Sequence, residues 1–215
     1  DGDCEQDADN LGQQGQAEKS KSVFRKVTDK NVTCANYPKD DPIFKAIKTK
    51  DPLGDIQNAD ARAISLLEGT IAELQAGIDY VKAGNPPSWP GISDCLAMAL
   101  KYQMLIDPND PKSWTNTGPG SVAHIIHRFN RLKQVFEGGF VSYSCISPDC
   151  GNEVAFVWSG QANYHLKLCL KFWLMGVDDR ALTFIHELSH VYFKTKDWGF
   201  KGAGSAHCLE QFVAS

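Results

Sequence analysis

Apolar side chains recur at alternating steps of three and four through residues 58–82: Ile64, Leu67, Ile71, Leu74, Ile78 and Val81. That period puts them on one stripe of a long amphipathic helix, stopped by Gly84-Asn85-Pro86-Pro87. The stripe is read as a face packed on the protein's own core rather than as a partner interface. A second helix is expected over 93–106, ended by Pro108, then a polar connection rich in Pro and Gly as far as Gly120. A third helix follows over 121–136. After Gly138-Gly139 the period drops to two, which predicts short strands over 140–145, 153–158 and 164–170. Turns are expected at Ser147-Pro148-Asp149 and Ser159-Gly160-Gln161. Helical character returns near Asp178-Asp179, acids suited to a helix N-terminus, and a last helix is expected over 205–214. Helices, then a small sheet, then a helix give an α+β fold without internal repeats.

The N-terminal quarter is different. Residues 1–22 are polar, and 23–54 mix short apolar pieces with Pro38, Pro42 and Pro52. We therefore divide the chain into a polar, irregular extension over 1–54, a pro-segment remnant or arm, and one catalytic domain over 55–215.

Composition narrows the function. With 42% apolar residues in 215, there is material for a sizeable core. A net charge of −4 without clustering gives no support to nucleic-acid or anionic-membrane partners, and no apolar run approaches a membrane-spanning length. None of the seven cysteines forms a CxxC pair, so a disulfide framework is expected rather than a zinc ribbon. Their odd number leaves at least one thiol unpaired or paired between chains, and Cys208 is the candidate by position. Asn31-Val32-Thr33 is a glycosylation sequon, and the chain begins at Asp1 without methionine, compatible with a removed leader. Together these point to a secreted protein, acting as a monomer.

The chemistry is carried by His186-Glu187-Leu188-Ser189-His190, embedded between Leu182-Thr183-Phe184-Ile185 and Val191-Tyr192-Phe193. Histidines four apart stand one turn apart on a helix face, so both imidazoles can bind one zinc ion. Glu187, between them, is placed to take a proton from zinc-bound water, the arrangement of a zinc-dependent hydrolase. By composition alone such a pentad arises roughly six times in a thousand chains of this kind. His124 and His127, three apart, lack a nearby carboxylate pattern and are assigned to packing or surface roles. A catalytic zinc takes a third protein ligand. Asp197, His207 and Glu210 are the candidates, and the residues alone leave the choice open. Glu210 has 19 residues between it and His190, the interval of thermolysin-like enzymes, whereas Asp197 lies just past the helix end.

Thr195-Lys196-Asp197-Trp198-Gly199-Phe200 resembles the Gly-Thr-x-Asp-x-x-Tyr-Gly signature of the aspzincins, the deuterolysin and peptidyl-Lys metalloendopeptidase family of secreted proteases. Upstream, 165–173 is similar to that family's strand ending in Leu-Cys before an aromatic pair. Downstream, 205–212 resembles its Asn-Ala-Asp-x-x-Glu-x-Phe helix. The likeness covers 114–215 well and 58–82 loosely.

The resemblance implies a zincin-like metalloprotease fold, with N-terminal helices, a small sheet and the active-site helix. It makes His186, His190 and Asp197 zinc ligands and Glu187 the general base, with protein or peptide substrates. It also implies a Cys150–Cys169 disulfide around an edge strand, on which Ala155 and Val157 belong to the substrate-binding region. Four departures stand out. The family's tyrosine, an oxyanion donor, is Phe200; the spacer between His190 and Asp197 is shorter than the family's; the helix between the signature and the last helix is largely deleted; and the second acidic position is His207, a pocket residue, a substitute ligand or a structural residue. A lysine preference therefore does not carry over, and a turnover-impaired protein acting by binding is the alternative. A gluzincin-type hydrolase using Glu210 is the other.

Overall fold

Helix α1, Pro52–Lys82, buries Ile64, Leu67, Leu74, Ile78 and Val81 of the expected stripe, leaves Ile71 half-buried, and extends the stripe to Ile56, Ala59 and Ala63. A computed structural model of the chain describes residues 32–33, 51–88, 91–145, 150–157, 164–195 and 212–214. The helix starts six residues before the expected 58 because Pro52, placed in the stretch read as irregular, occupies the first turn, where its missing N–H costs nothing. Asp51 receives the Gly54 amide on Oδ1 at 2.9 Å. At the other end Gly84 adopts φ +88, a conformation natural to glycine, and terminates the helix as expected.

The described residues fall into two compact units, one holding 65–131, Thr195 and 212–214, the other holding 32–33, 51–64 and 132–194. Helices α1 and α4 (below) have residues in both.

In the first unit, Ser93 caps α2 (Asp94–Tyr102) by accepting the Leu96 amide at 3.1 Å. This helix stops short of the expected 106, because the chain turns at Leu105, φ 56, and Ala99 and Leu100 carbonyls are taken by the Met104 and Ile106 amides. The connection expected to be only polar contains a short helix, α3 (Pro111–Thr115), with Asp110 as N-cap. Its Trp114 is fully buried, donates from Nε1 to the Pro108 carbonyl at 2.9 Å, and lies against Gly77 of α1. A Cβ at 77 would stand 2.4 Å from the indole, so only glycine fits there. Helix α4 (Val122–Glu137) buries Val122, Ile125 and Phe129, and Phe129 packs on Phe212 with ring centroids 5.9 Å apart.

The second unit is built on a four-stranded sheet, β1 (Val32–Thr33), β2 (Val141–Ser144), β3 (Ala155–Val157) and β4 (Tyr164–Leu168), in the order β1-β2-β4-β3. Strand β1 falls in the stretch read as irregular and pairs parallel to β2. Strands β2 and β4 are parallel, and β3 runs antiparallel to β4 along one edge. Alternation sets the two faces. Val141, Tyr143, Leu166, Leu168 and Ala155 are buried on one, while Ser142, Ser144, His165, Lys167 and Phe156 share the other. The chain leaves β4 after Leu168 into a 3-10 turn, Leu170–Leu174, rather than extending to 170. Helix α5, Val177–Phe193, then packs against β3 and β4. The outcome is a mixed α+β fold with a small sheet. None of the described helices is long and apolar enough to cross a membrane.

Candidate metal site on helix α5

Helix α5 is held in place by its buried stripe and by a buried arginine, Arg180, with an exposed Arg62–Asp178 pair at its first turn. Ala181, Phe184, Ile185 and Leu188 are fully buried. Phe184 stacks on Phe172 of the 3-10 turn, centroids 5.3 Å apart, and meets Tyr143 of β2 at 5.0 Å. Arg180 donates from Nε to the Phe172 carbonyl at 3.1 Å and from Nη2 to the Trp173 carbonyl at 2.9 Å. Its Nη1 lies 3.2 Å from Asp55 of α1. These contacts add a charged donor to two carbonyls of the 3-10 turn, one of which, Phe172, also accepts the Met175 amide, and they tie the start of α5 to its support. Trp173 in turn donates to the Cys145 carbonyl at 2.9 Å.

A second polar contact lies under the same helix. Tyr143, fully buried, donates its hydroxyl to Asp60 Oδ1 of α1 at 2.5 Å. Burial pushes the Asp60 carboxyl up to about 6, and the tyrosine hydrogen bond offsets part of that rise. Tyr143 itself is pushed well above its ordinary value, chiefly by burial and then by the Asp60 charge.

Two turns further along α5, His186 and His190 are half-buried with Glu187 between them. Their rings stand at 81° with centroids 4.9 Å apart, and their Nε2 atoms approach to 3.2 Å. Two nitrogens bound at 2.0–2.1 Å to one tetrahedral zinc lie about 3.3–3.4 Å apart, so the observed separation is close to the edge of such a site. Two neutral rings in this contact need a proton on one Nε2 and none on the other. Metal ligation needs neither, and aims both lone pairs at one point. The two imidazoles therefore fit two of the ligand positions of a zinc ion. Ser189, fully buried, donates to the His186 carbonyl at 2.8 Å, and Tyr192 stacks on Tyr164 of β4 at 6.0 Å.

The helix ends three residues beyond His190. Lys194 caps it in the left-handed region, φ 53 and ψ 37. Lys194 precedes Thr195, so it occupies the glycine position of the signature that 195–200 resembles. Asp197, Phe200, His207, Cys208 and Glu210 lie outside the described residues. Among the described residues no three His, Cys, Asp or Glu side chains form a metal-binding group. Ala155 and Val157 lie on β3, the edge strand that α5 packs against, with Ala155 buried and Val157 half-buried. The disulfide Cys150–Cys169, Cα atoms 5.7 Å apart, closes the loop carrying that strand, as the resemblance implies. Cys95 and Cys145 are disulfide-bonded as well.

No protein-family model matches this chain, and neither does any curated protein.

The expected pair His124 and His127 falls on α4, half-buried and exposed respectively. Burial, then the charges of Arg128 and His127, lower the proton affinity of His124. Arg180, Asp60 and Tyr143 went unremarked in the sequence, although Asp60 sits at a core position of the α1 stripe, where a carboxylate needs a partner.

Proposed function

We propose that the chain is a secreted zinc-dependent endopeptidase of the aspzincin type, with a zincin-like fold. One observation carries the reading: the His186 and His190 Nε2 atoms lie 3.2 Å apart on a helix packed against the edge strand of the sheet. Asp197 is the third ligand by the resemblance, which the left-handed Lys194 in the glycine position of the signature supports. A zinc ion bound there supplies Lewis acidity, polarising a peptide carbonyl and making water nucleophilic near neutral pH. Glu187 takes a proton on its carboxylate from the attacking water and delivers it to the departing amide nitrogen. Strand β3 is an edge strand among the described residues, and an extended peptide adds there as a further strand. The disulfide is of the kind expected of an oxidising compartment.

Phe200 lacks the hydroxyl that the family's tyrosine gives to the developing oxyanion, so turnover is expected to be low. The test combines metal content with digestion of unfolded casein. We expect close to one zinc per chain after gentle purification, and fragments from the native protein but none from Glu187→Gln. Less than about half an equivalent of zinc removes the hydrolase reading altogether. Zinc at full occupancy with casein equally intact in both proteins leaves a metal-holding binder.

A further inference from the structure

The sheet face away from α5 carries a second group of reactive side chains, unconnected with the histidine pair. Ser142 and Ser144 are alternate residues of β2, and His165 is the register partner of Ser142 on β4. Ser142 Oγ lies 2.8 Å from His165 Nδ1, and Ser144 Oγ lies 2.6 Å from His165 Nε2. The imidazole is bracketed by two hydroxyls, and all three side chains are half-buried. We propose that Ser144, His165 and Ser142 form a proton relay in which Ser144 is a nucleophile toward small activated esters.

The argument begins with the ring. A neutral imidazole has one N–H and one bare nitrogen, so it donates to one hydroxyl and accepts from the other. Burial, and then the charge of Lys167, lower its proton affinity, which keeps the ring neutral at physiological pH. In the tautomer that carries its proton on Nδ1, Nδ1–H donates to the Ser142 oxygen and Ser144 donates to Nε2, across the shorter of the two contacts. Nucleophile, base and orienting acceptor then stand in the order that activates a serine, with a hydroxyl in place of the usual carboxylate. Lys167, the register partner of Ser144, puts a cation on the same face, its Nζ 5.3 Å from the centre of the Phe156 ring.

The step balances without any added reagent. Ser144 Oγ bonds to the acyl carbon as its proton passes to His165 Nε2. The carbon–oxygen bond to the leaving alkoxide breaks, and that oxygen takes the proton from Nε2. Water then releases the acyl group by the same route in reverse. A purely structural role for the two serines, as pegs for a sheet histidine, supplies no such reactivity.

The probe is a fluorophosphonate ester, which bonds to an activated serine oxygen with loss of fluoride. The full-length protein is incubated with it, its intact mass is followed with time, and the adduct is placed by peptide mapping. One adduct per chain is expected, on Ser144, at a rate unchanged by 1,10-phenanthroline, which strips zinc. Insensitivity to the chelator separates this site from the histidine pair, so either reading can fail alone. His165→Gln should slow labelling by about 100-fold or more, the scale of a lost general base. Ser142→Ala should slow it by a smaller factor with the adduct still on Ser144, and it guards against misfolding of the histidine variant. Labelling no faster than in urea-unfolded protein, an adduct on Ser142, or equal rates with and without His165 overturns the proposal.

Discussion

Asp60→Asn should remove the pH dependence of stability contributed by one buried carboxyl. The asparagine keeps an oxygen for the Tyr143 hydroxyl, received by Asp60 at 2.5 Å in the native protein, but cannot ionise. Asp60 is only 6% exposed, and its pKa rises from 3.8 to about 6 on folding. The native state thus holds this proton more tightly than the unfolded chain does. Its contribution is fully present below about pH 3.8 and is lost as the pH rises through about 6. A gap of about two units at about 1.4 kcal/mol each gives roughly 2–3 kcal/mol between pH 4 and pH 7.5. Urea unfolding of both proteins, followed by tryptophan fluorescence at half-unit steps, isolates the effect, because every other titrating group cancels in the difference. Relative to the native protein, Asp60→Asn should gain about that much over the window and then stay level. Tyr143→Phe, which removes the hydrogen bond that lowers the Asp60 pKa, should move the window to higher pH. Two parallel stability curves for native and Asp60→Asn protein would refute the argument, since they would mean that Asp60 titrates alike in both states.

Other expectations concern helix α5 and its surroundings. Arg180→Met removes the hydrogen bonds that the guanidinium gives to the Phe172 and Trp173 carbonyls and should cost about 2 kcal/mol by urea titration. Lys194→Gly relieves a left-handed residue at the C-cap and should stabilise by about 1 kcal/mol, read as a rise in Tm. An unchanged or lower Tm would mean that Lys194 contributes contacts worth as much as the strain. Under the peptidase reading, Phe200→Tyr restores the oxyanion donor and should raise kcat on casein by as much as about 100-fold with zinc content unchanged. No gain would place the loss of turnover elsewhere.

How much was legible follows from which physical effect fixed each feature. The α1 stripe, the strands and the helix with its histidines could be read because they depend on periodicity, which belongs to the chain itself. The start of α1 was misplaced because proline breaks a helix in its interior yet suits its first turn, and only capping by Asp51 tells the two apart. The short helix around Trp114 was hidden for a related reason. An Asp-Pro pair reads as a turn until a buried indole, seated on Gly77, makes a helical turn worthwhile. Strand β1 has two residues and no period to detect, and it exists through its pairing with β2.

The candidate site divides in the same way. The sequence by itself determined that two imidazoles and a carboxylate stand within one helical turn, because a spacing of four in a helix leaves them no other arrangement. It also supplied Asp197 through a resemblance. Only the tertiary structure decided that the two Nε2 atoms converge to 3.2 Å, that α5 packs against β4 and the edge strand β3, and that Arg180 and the Asp60–Tyr143 pair support the helix. Asp60 and Tyr143 are 83 positions apart, Asp55 and Arg180 further still, and no local period encodes such contacts. They follow from burial, which obliges each polar group taken from water to find its partner wherever the fold brings one.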